Sequence, residues 1–122
     1  MQGWLDDQYQ AHLGAPTSPA GYRHGRAGRL EDDCRVDCWV RLDNECLKAV
    51  CFEVFGSLEA VRMAGWLGHQ LTGAPIARAE AVTGRWLAES LAVSAVAKTQ
   101  ALVIEDALRS ALAAEEVKGG GC

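Results

Sequence analysis

The sequence has no long basic run. Among its 122 residues the densest cationic stretch, Tyr22 to Arg29, holds only three arginines, and the formal net charge is -4. Tracking a phosphate backbone takes clustered Lys and Arg, so no nucleic-acid partner is expected. Nowhere do about 18 apolar residues run together. The opening MQGWLDDQYQ has two aspartates where a secretory leader would have an apolar core. The expected address is therefore the cytoplasm, with no membrane partner. Also missing are G-x-S-x-G, the P-loop pattern, G-x-G-x-x-G and H-E-x-x-H, which takes most of the weight from hydrolytic, nucleotide-binding and zincin readings. Histidine is scarce: His12, His24 and His69 are scattered, no two have metal-clamp spacing, and each is expected at the surface.

What is present is the balance of a soluble globular chain, 49% apolar and 23% charged, with a length suited to one domain. The cysteines stand out. There are five, four of them inside CRVDCWVRLDNECLKAVC, residues 34 to 51. An odd number in a reducing compartment argues for free thiols or metal ligands over a disulfide framework.

Periodicity places the elements. Trp4, Leu5, Tyr9 and Leu13 recur at helical spacing over Gly3 to Leu13. Residues 14 to 29 hold four glycines and two of the three prolines, which predicts mostly loop with at most a short edge strand near Tyr22. Cys34, Val36, Cys38, Val40 and Leu42 alternate with Arg35, Asp37, Trp39 and Arg41, the pattern of a half-buried strand. A three-residue turn, Asp43 to Glu45, would set Leu42 opposite Cys46 and place Val36, Cys38 and Val40 on one face with Val50, Phe52 and Val54; a two-residue turn would split that face. Ser57 reads as the N-cap of a helix ending at Gly73, short helical pieces follow Pro75 and cover Trp86 to Leu91, and a long helix spans Ser94 to Val117. The order predicts an α+β domain, a small antiparallel β-sheet packed against several helices.

The cysteine spacing C-x3-C-x7-C-x4-C lacks the paired C-x2-C knuckles of a zinc ribbon and falls along strands. Cys38 and Cys46 are expected in the apolar face as core and Cys51 on the other face. Cys34 differs, standing at the mouth of its strand behind Glu31-Asp32-Asp33, where a side chain can reach a site outside the core. Glu105-Asp106 reads as a solvated face or an arginine contact. Trp39, Trp66 and Trp86 either form a docking patch or, more commonly for aromatics, fill the core.

Taken in order, these segments resemble the NifU/IscU-type iron-sulfur cluster assembly scaffolds over almost the whole chain. LDDQYQAHLGAPTSPAG corresponds to the family's tyrosine-containing first helix and proline loop, and CRVDCWVRLD to its Cys-Gly-Asp and strand. FEVFGSLEAV and GHQLTG correspond to the helix with an aromatic-Gly-Cys start and glycine end, and TQALVIEDALRSAL to the last helix. The resemblance implies an IscU/SufE-like fold with a single NifU N-terminal/IscU-like domain over residues 1 to 117 and a flexible tail over 118 to 122, which includes Cys122.

The family holds a nascent [2Fe-2S] cluster with three cysteines and an aspartate or histidine. Cys34 matches the first cysteine and Asp37 lies one residue beyond the aspartate position, so these two are the candidate metal ligands. Ser57 stands in the second cysteine's place and Thr99-Gln100 replace His-Cys, so ligand chemistry is lost there. The family's Leu-Pro-Pro-Val-Lys chaperone segment has no counterpart in VSAVA. The resemblance leaves three functions open, none of them an enzyme's. The protein is a divergent scaffold or carrier binding iron or a [2Fe-2S] cluster through Cys34 with partner-supplied ligands. Alternatively it is a module with no cofactor that docks onto a sulfur-transfer or iron-sulfur partner, or a persulfide carrier using Cys34. The partners implied are a cysteine desulfurase or other iron-sulfur assembly proteins, with a homodimer as a further arrangement. Whether Cys38, Cys46 or Cys51 substitutes for the missing ligands stays open at this level.

Overall fold

The computed structural model of the chain describes residues 7–117. In order it contains α1 (Asp7–Gln10), β1 (Arg23–Arg29), a 3-10 turn (Leu30–Asp32), β2 (Cys34–Asp43), β3 (Cys46–Phe55), α2 (Leu58–Leu71), α3 (Ile76–Glu80), α4 (Gly84–Leu91) and α5 (Ala95–Ala113). The strands form an antiparallel meander in the order β1-β2-β3. α5 lies across β1 and β2, α2 lies on β3, and α4 packs on α5. This is the expected α+β arrangement. The start of the helix predicted over Gly3 to Leu13, and the predicted tail with Cys122, lie outside the described residues.

Alternation in β2 and β3 produces the core. Val36, Cys38 and Val40 face the helices opposite Val54, Phe52 and Val50, and five of the six are fully buried, Val54 partly so. The turn differs from the three-residue expectation. Only Asn44 and Glu45 lie between the strands, both in the left-handed region (φ 54° and 66°), as a two-residue hairpin matched to the strand twist requires. The apolar face is not split, because the strand carries a bulge just beyond the turn: Arg41 pairs with Ala49 but Leu42 with Leu47, leaving Lys48 as the extra residue. That residue restores the alternation beyond it. It also turns Cys46 outward and Leu47 inward, so Cys46 is exposed and is not a core residue.

The second correction concerns residues 14 to 29. β1 occupies seven of them. A Cβ added at Gly25 would lie 2.1 Å from the Ala111 nitrogen and 2.6 Å from the Ala107 oxygen, so the backbones of β1 and α5 touch there. Glycine in a strand marks such an approach as readily as it marks a turn. The alanines of α5 serve the same closeness: Ala97, Ala101, Ala107 and Ala111 are all buried beside Ile104 and Leu108. α5 stops at Ala113, short of Val117. The chain then returns to the sheet, where the Val117 N–H donates to the Tyr22 carbonyl (2.7 Å) and the Gly21 N–H to the Val117 carbonyl (2.9 Å).

The outer edge of β3 is covered at two places. The Phe52 N–H donates to the His12 carbonyl and the Gly14 N–H to the Phe52 carbonyl (2.8 and 2.7 Å). Further along, Leu47 exchanges hydrogen bonds with Gly73 and Ala74. These short segments satisfy backbone groups that a bare edge would leave open to another chain. No helix among the described residues is long and apolar enough to cross a membrane.

Because α5 sits on Gly25 backbone to backbone, neither side can yield locally. Gly25→Ala is expected to destabilise the fold by about 3 kcal/mol or more, read as a drop in the urea midpoint, whereas alanine at the exposed Gly73, with no atom within 4 Å, meets only its own backbone strain (φ 88°).

Candidate functional site

Three elements converge at one end of the sheet. β2 starts at Cys34, entered through Asp33 in the left-handed conformation (φ 60°). α2 starts after Ser57, whose Oγ accepts from the Ala60 N–H at 3.1 Å as the N-cap. α5 contributes Gln100. The Ser57 hydroxyl donates to Gln100 Oε1 at 2.5 Å, joining the starts of the two helices. Asp33, Val54, Phe55, Gly56, Ser57 and Gln100 line a shallow hollow here. Cys34 lies beside this lining: a Cβ placed on Gly56 would sit 3.5 Å from the Cys34 sulfur, so the thiol packs close to one of the residues that line the hollow. The positions matched to the family's ligands at 34, 57 and 100 are thus brought together. Thr99 is not; it is exposed and its hydroxyl donates back to the Val96 carbonyl at 2.8 Å.

The donor set decides what this end can hold. Cys34 is 5% exposed, and burial pushes its thiol above the ordinary value. A buried neutral thiol is a poor nucleophile and ligand until it is deprotonated. Ser57 and Gln100 bring neutral oxygens that already satisfy each other. One thiol and two neutral oxygens do not fit an iron-sulfur cluster, whose irons take thiolates or imidazoles. No other cysteine among the described residues substitutes. Cys38 is fully buried among core side chains, and burial first, with the neighbouring Cys51 and Asp37 adding to it, raises its thiol well above the usual value. Cys51 faces the other side of the sheet, half-buried and raised by burial. Among the described residues no three His, Cys, Asp or Glu groups are gathered to hold a metal ion.

Asp37, the second candidate ligand, is not brought to Cys34. Three positions along a strand put it on the opposite face, where it is 3% exposed. Its Oδ1 accepts from His24 Nε2 and Arg26 Nε, both at 2.7 Å, and Arg35 Nε lies 3.7 Å from Oδ2. Burial by itself would raise this carboxyl, but the hydrogen bonds and charges of Arg26 and His24 outweigh it and hold the pKa below the ordinary range. The His24 ring in turn stacks on Trp39 (4.7 Å, 11° between planes), which accounts for the near burial of that tryptophan. Asp37 therefore acts as the anchor between β1 and β2 on the helix-free face. The sequence pattern does not reveal this cluster, because the glycines of β1 read as loop. The alternation that sets Asp37 opposite Cys34 is the available signal.

The histidines and Glu105 match their expectations in part: His69 is exposed and Glu105 contacts an arginine, as read, but both gain partners that the sequence does not show. His24 is a half-buried partner of Asp37 and not a free surface residue, and His12 and His69, 57 positions apart in sequence, sit with ring centroids 5.9 Å apart. Glu105, read as a solvated face or an arginine contact, accepts from the Gly84 N–H and from Arg109 Nε, both at 2.7 Å. The Gly84 bond above all lowers its carboxyl. Trp66 is half-buried and touches the exposed Trp86 at 5.4 Å.

No family model matches the chain, and no curated protein matches it. Among solved structures it is similar to a hypothetical protein whose crystal structure was determined at 2.3 Å resolution, with a TM-score of 0.52 and 14% identity over 89% of this chain and 85% of that one. At that identity the likeness is one of fold.

Burial orders the reactivity of the thiols. Under brief alkylation of the native protein, peptide mapping should find Cys46 modified well before Cys34 and Cys38, with Cys51 between; early modification of Cys34 would contradict its burial. Asp37→Asn should lower stability by about 1–3 kcal/mol near neutral pH. The folded Asp37 pKa is depressed, so its contribution is present above the unfolded value of about 4 and is lost as pH falls through the lower folded value. The gap between wild type and variant in urea titrations should accordingly narrow as the pH is lowered below about 4.

Proposed function

We propose that this protein is a divergent relative of the NifU/IscU-type scaffolds that works without a cluster of its own, as a cytoplasmic module docking onto a sulfur-transfer or iron-sulfur partner such as a cysteine desulfurase. The observation that carries the reading is the Ser57–Gln100 hydrogen bond. Two positions that the resemblance assigns to cluster ligands meet in space yet hold a neutral pair that closes on itself. The hollow beside them is rimmed by Phe55 and flanked by Leu58, both strongly exposed apolar residues of the kind that anchor protein contacts. A persulfide carrier fits less well, since the thiol it needs is buried and raised.

A second reading, a scaffold or carrier that holds iron or a cluster through Cys34 and partner-supplied ligands, is favoured by one feature: the Cys34 sulfur packs close to Gly56, which lines the hollow. Metal analysis separates the two. Wild type purified anaerobically should carry no stoichiometric iron or acid-labile sulfide, while Ser57→Cys with Gln100→Cys should gain thiolate-to-iron absorption on reconstitution and lose it again with Cys34→Ala. Stoichiometric iron in wild type, absent from Cys34→Ala, would establish the carrier instead. Docking itself is read by calorimetric titration against a cysteine desulfurase, where Phe55→Asp should weaken binding by about 2 kcal/mol; absence of binding in wild type would remove the docking proposal for that partner.

A further inference from the structure

The fold places two histidines side by side at the corner where α1 meets α2, far in sequence and on the outer side of β3. His12 follows α1, and its backbone is pinned because its carbonyl accepts the Phe52 N–H at 2.8 Å. His69 lies in the last turn of α2 and is exposed. Gly68 lets the two segments approach, since a Cβ there would fall 2.6 Å from the His12 Cβ. Their rings stand 5.9 Å apart at 64°, and the Tyr9 ring stands 5.5 Å from that of His69.

The tautomer of His12 is set by its surroundings. Nδ1 lies 3.1 Å from the Val50 carbonyl oxygen, and a carbonyl can only accept. Nδ1 therefore carries the proton and Nε2 the lone pair. An imidazole whose one nitrogen donates to a backbone carbonyl presents the other as an acceptor, the tautomer common among metal-ligating histidines. The spacing also fits. With a metal–nitrogen bond of about 2.1 Å and the ring's own radius, each centroid lies about 3.2 Å from a shared ion, and two such rings are roughly 5–6 Å apart.

We propose that His12 and His69 form a two-histidine site for a divalent transition-metal ion of the zinc, cobalt or nickel type. Imidazole nitrogens suit these ions, whereas magnesium and calcium take oxygen ligands. With no third His, Cys, Asp or Glu grouped nearby among the described residues, the chain supplies two ligands and leaves the other positions to water or to an incoming group. The proposal is independent of the cluster reading, because it uses none of Cys34, Ser57 or Gln100.

The test is titration of the reduced, full-length protein with zinc by calorimetry, alongside the cobalt absorption spectrum. Wild type should bind one zinc ion at this site, and His69→Ala should weaken it about tenfold or more while leaving the thermal midpoint nearly unchanged, as befits an exposed side chain. His12→Gln should weaken zinc binding likewise, and the cobalt spectrum should show weak ligand-field bands without thiolate charge transfer. Unaltered zinc affinity in His69→Ala, intense thiolate bands, or no binding by wild type would each overturn the site.

Discussion

The contact of α5 with β1 at Gly25 is the constraint on which the rest of the structure hangs. Helix and strand meet backbone to backbone there, with the Ala111 nitrogen and Ala107 oxygen occupying the space a side chain would need. This seats α5 low across β1 and β2, buries its alanine stripe, and carries Gln100 to the start of α2, where Ser57 meets it. The same helix also holds the α3–α4 corner in place. Glu105 accepts from the first N–H of α4, and Arg109 donates to the Val82 carbonyl at 2.9 Å, so that corner is fastened to α5 by charged hydrogen bonds at its margin.

β2 divides the chemistry of the protein between two faces. Its even-numbered residues from Cys34 to Val40 enter the core, and Cys34 is the last of them before the sheet ends at the hollow. Its odd-numbered residues carry Asp37 and Trp39, which His24 and Arg26 of β1 cover from the side. A thiol and a carboxylate three residues apart are thereby kept apart by the pleat. Their pKa values move in opposite directions: burial raises the thiol, whereas for the carboxylate the effect of burial is outweighed by the hydrogen bonds and charges of Arg26 and His24.

Much of the architecture is legible from periodicity. The alternation of β2 and β3, the Ser57 cap and the stripe of α5 all match their sequence patterns, because each is a local pattern matched to a local geometry. For the hairpin, alternation gives the right apolar face but the wrong turn. Asp43-Asn44-Glu45 is compatible with either loop length, and the choice is made by a bulge at Lys48 that no local signal marks. That one residue moves Cys46 from core to surface. β1 is hidden for a similar reason: its glycines look like breakers until α5 is in place to need them.

The sequence by itself determined the class of fold and the run of cysteines on strands, since composition and spacing are properties of the chain. Tertiary structure alone decided which of these residues meet. It gathered Cys34, Ser57 and Gln100 from three elements, buried the thiol, gave Asp37 its cationic partners, and set His12 beside His69 across 57 positions of chain. Burial, pKa and ligand geometry depend on neighbours brought in by long-range packing, and no local spacing encodes them.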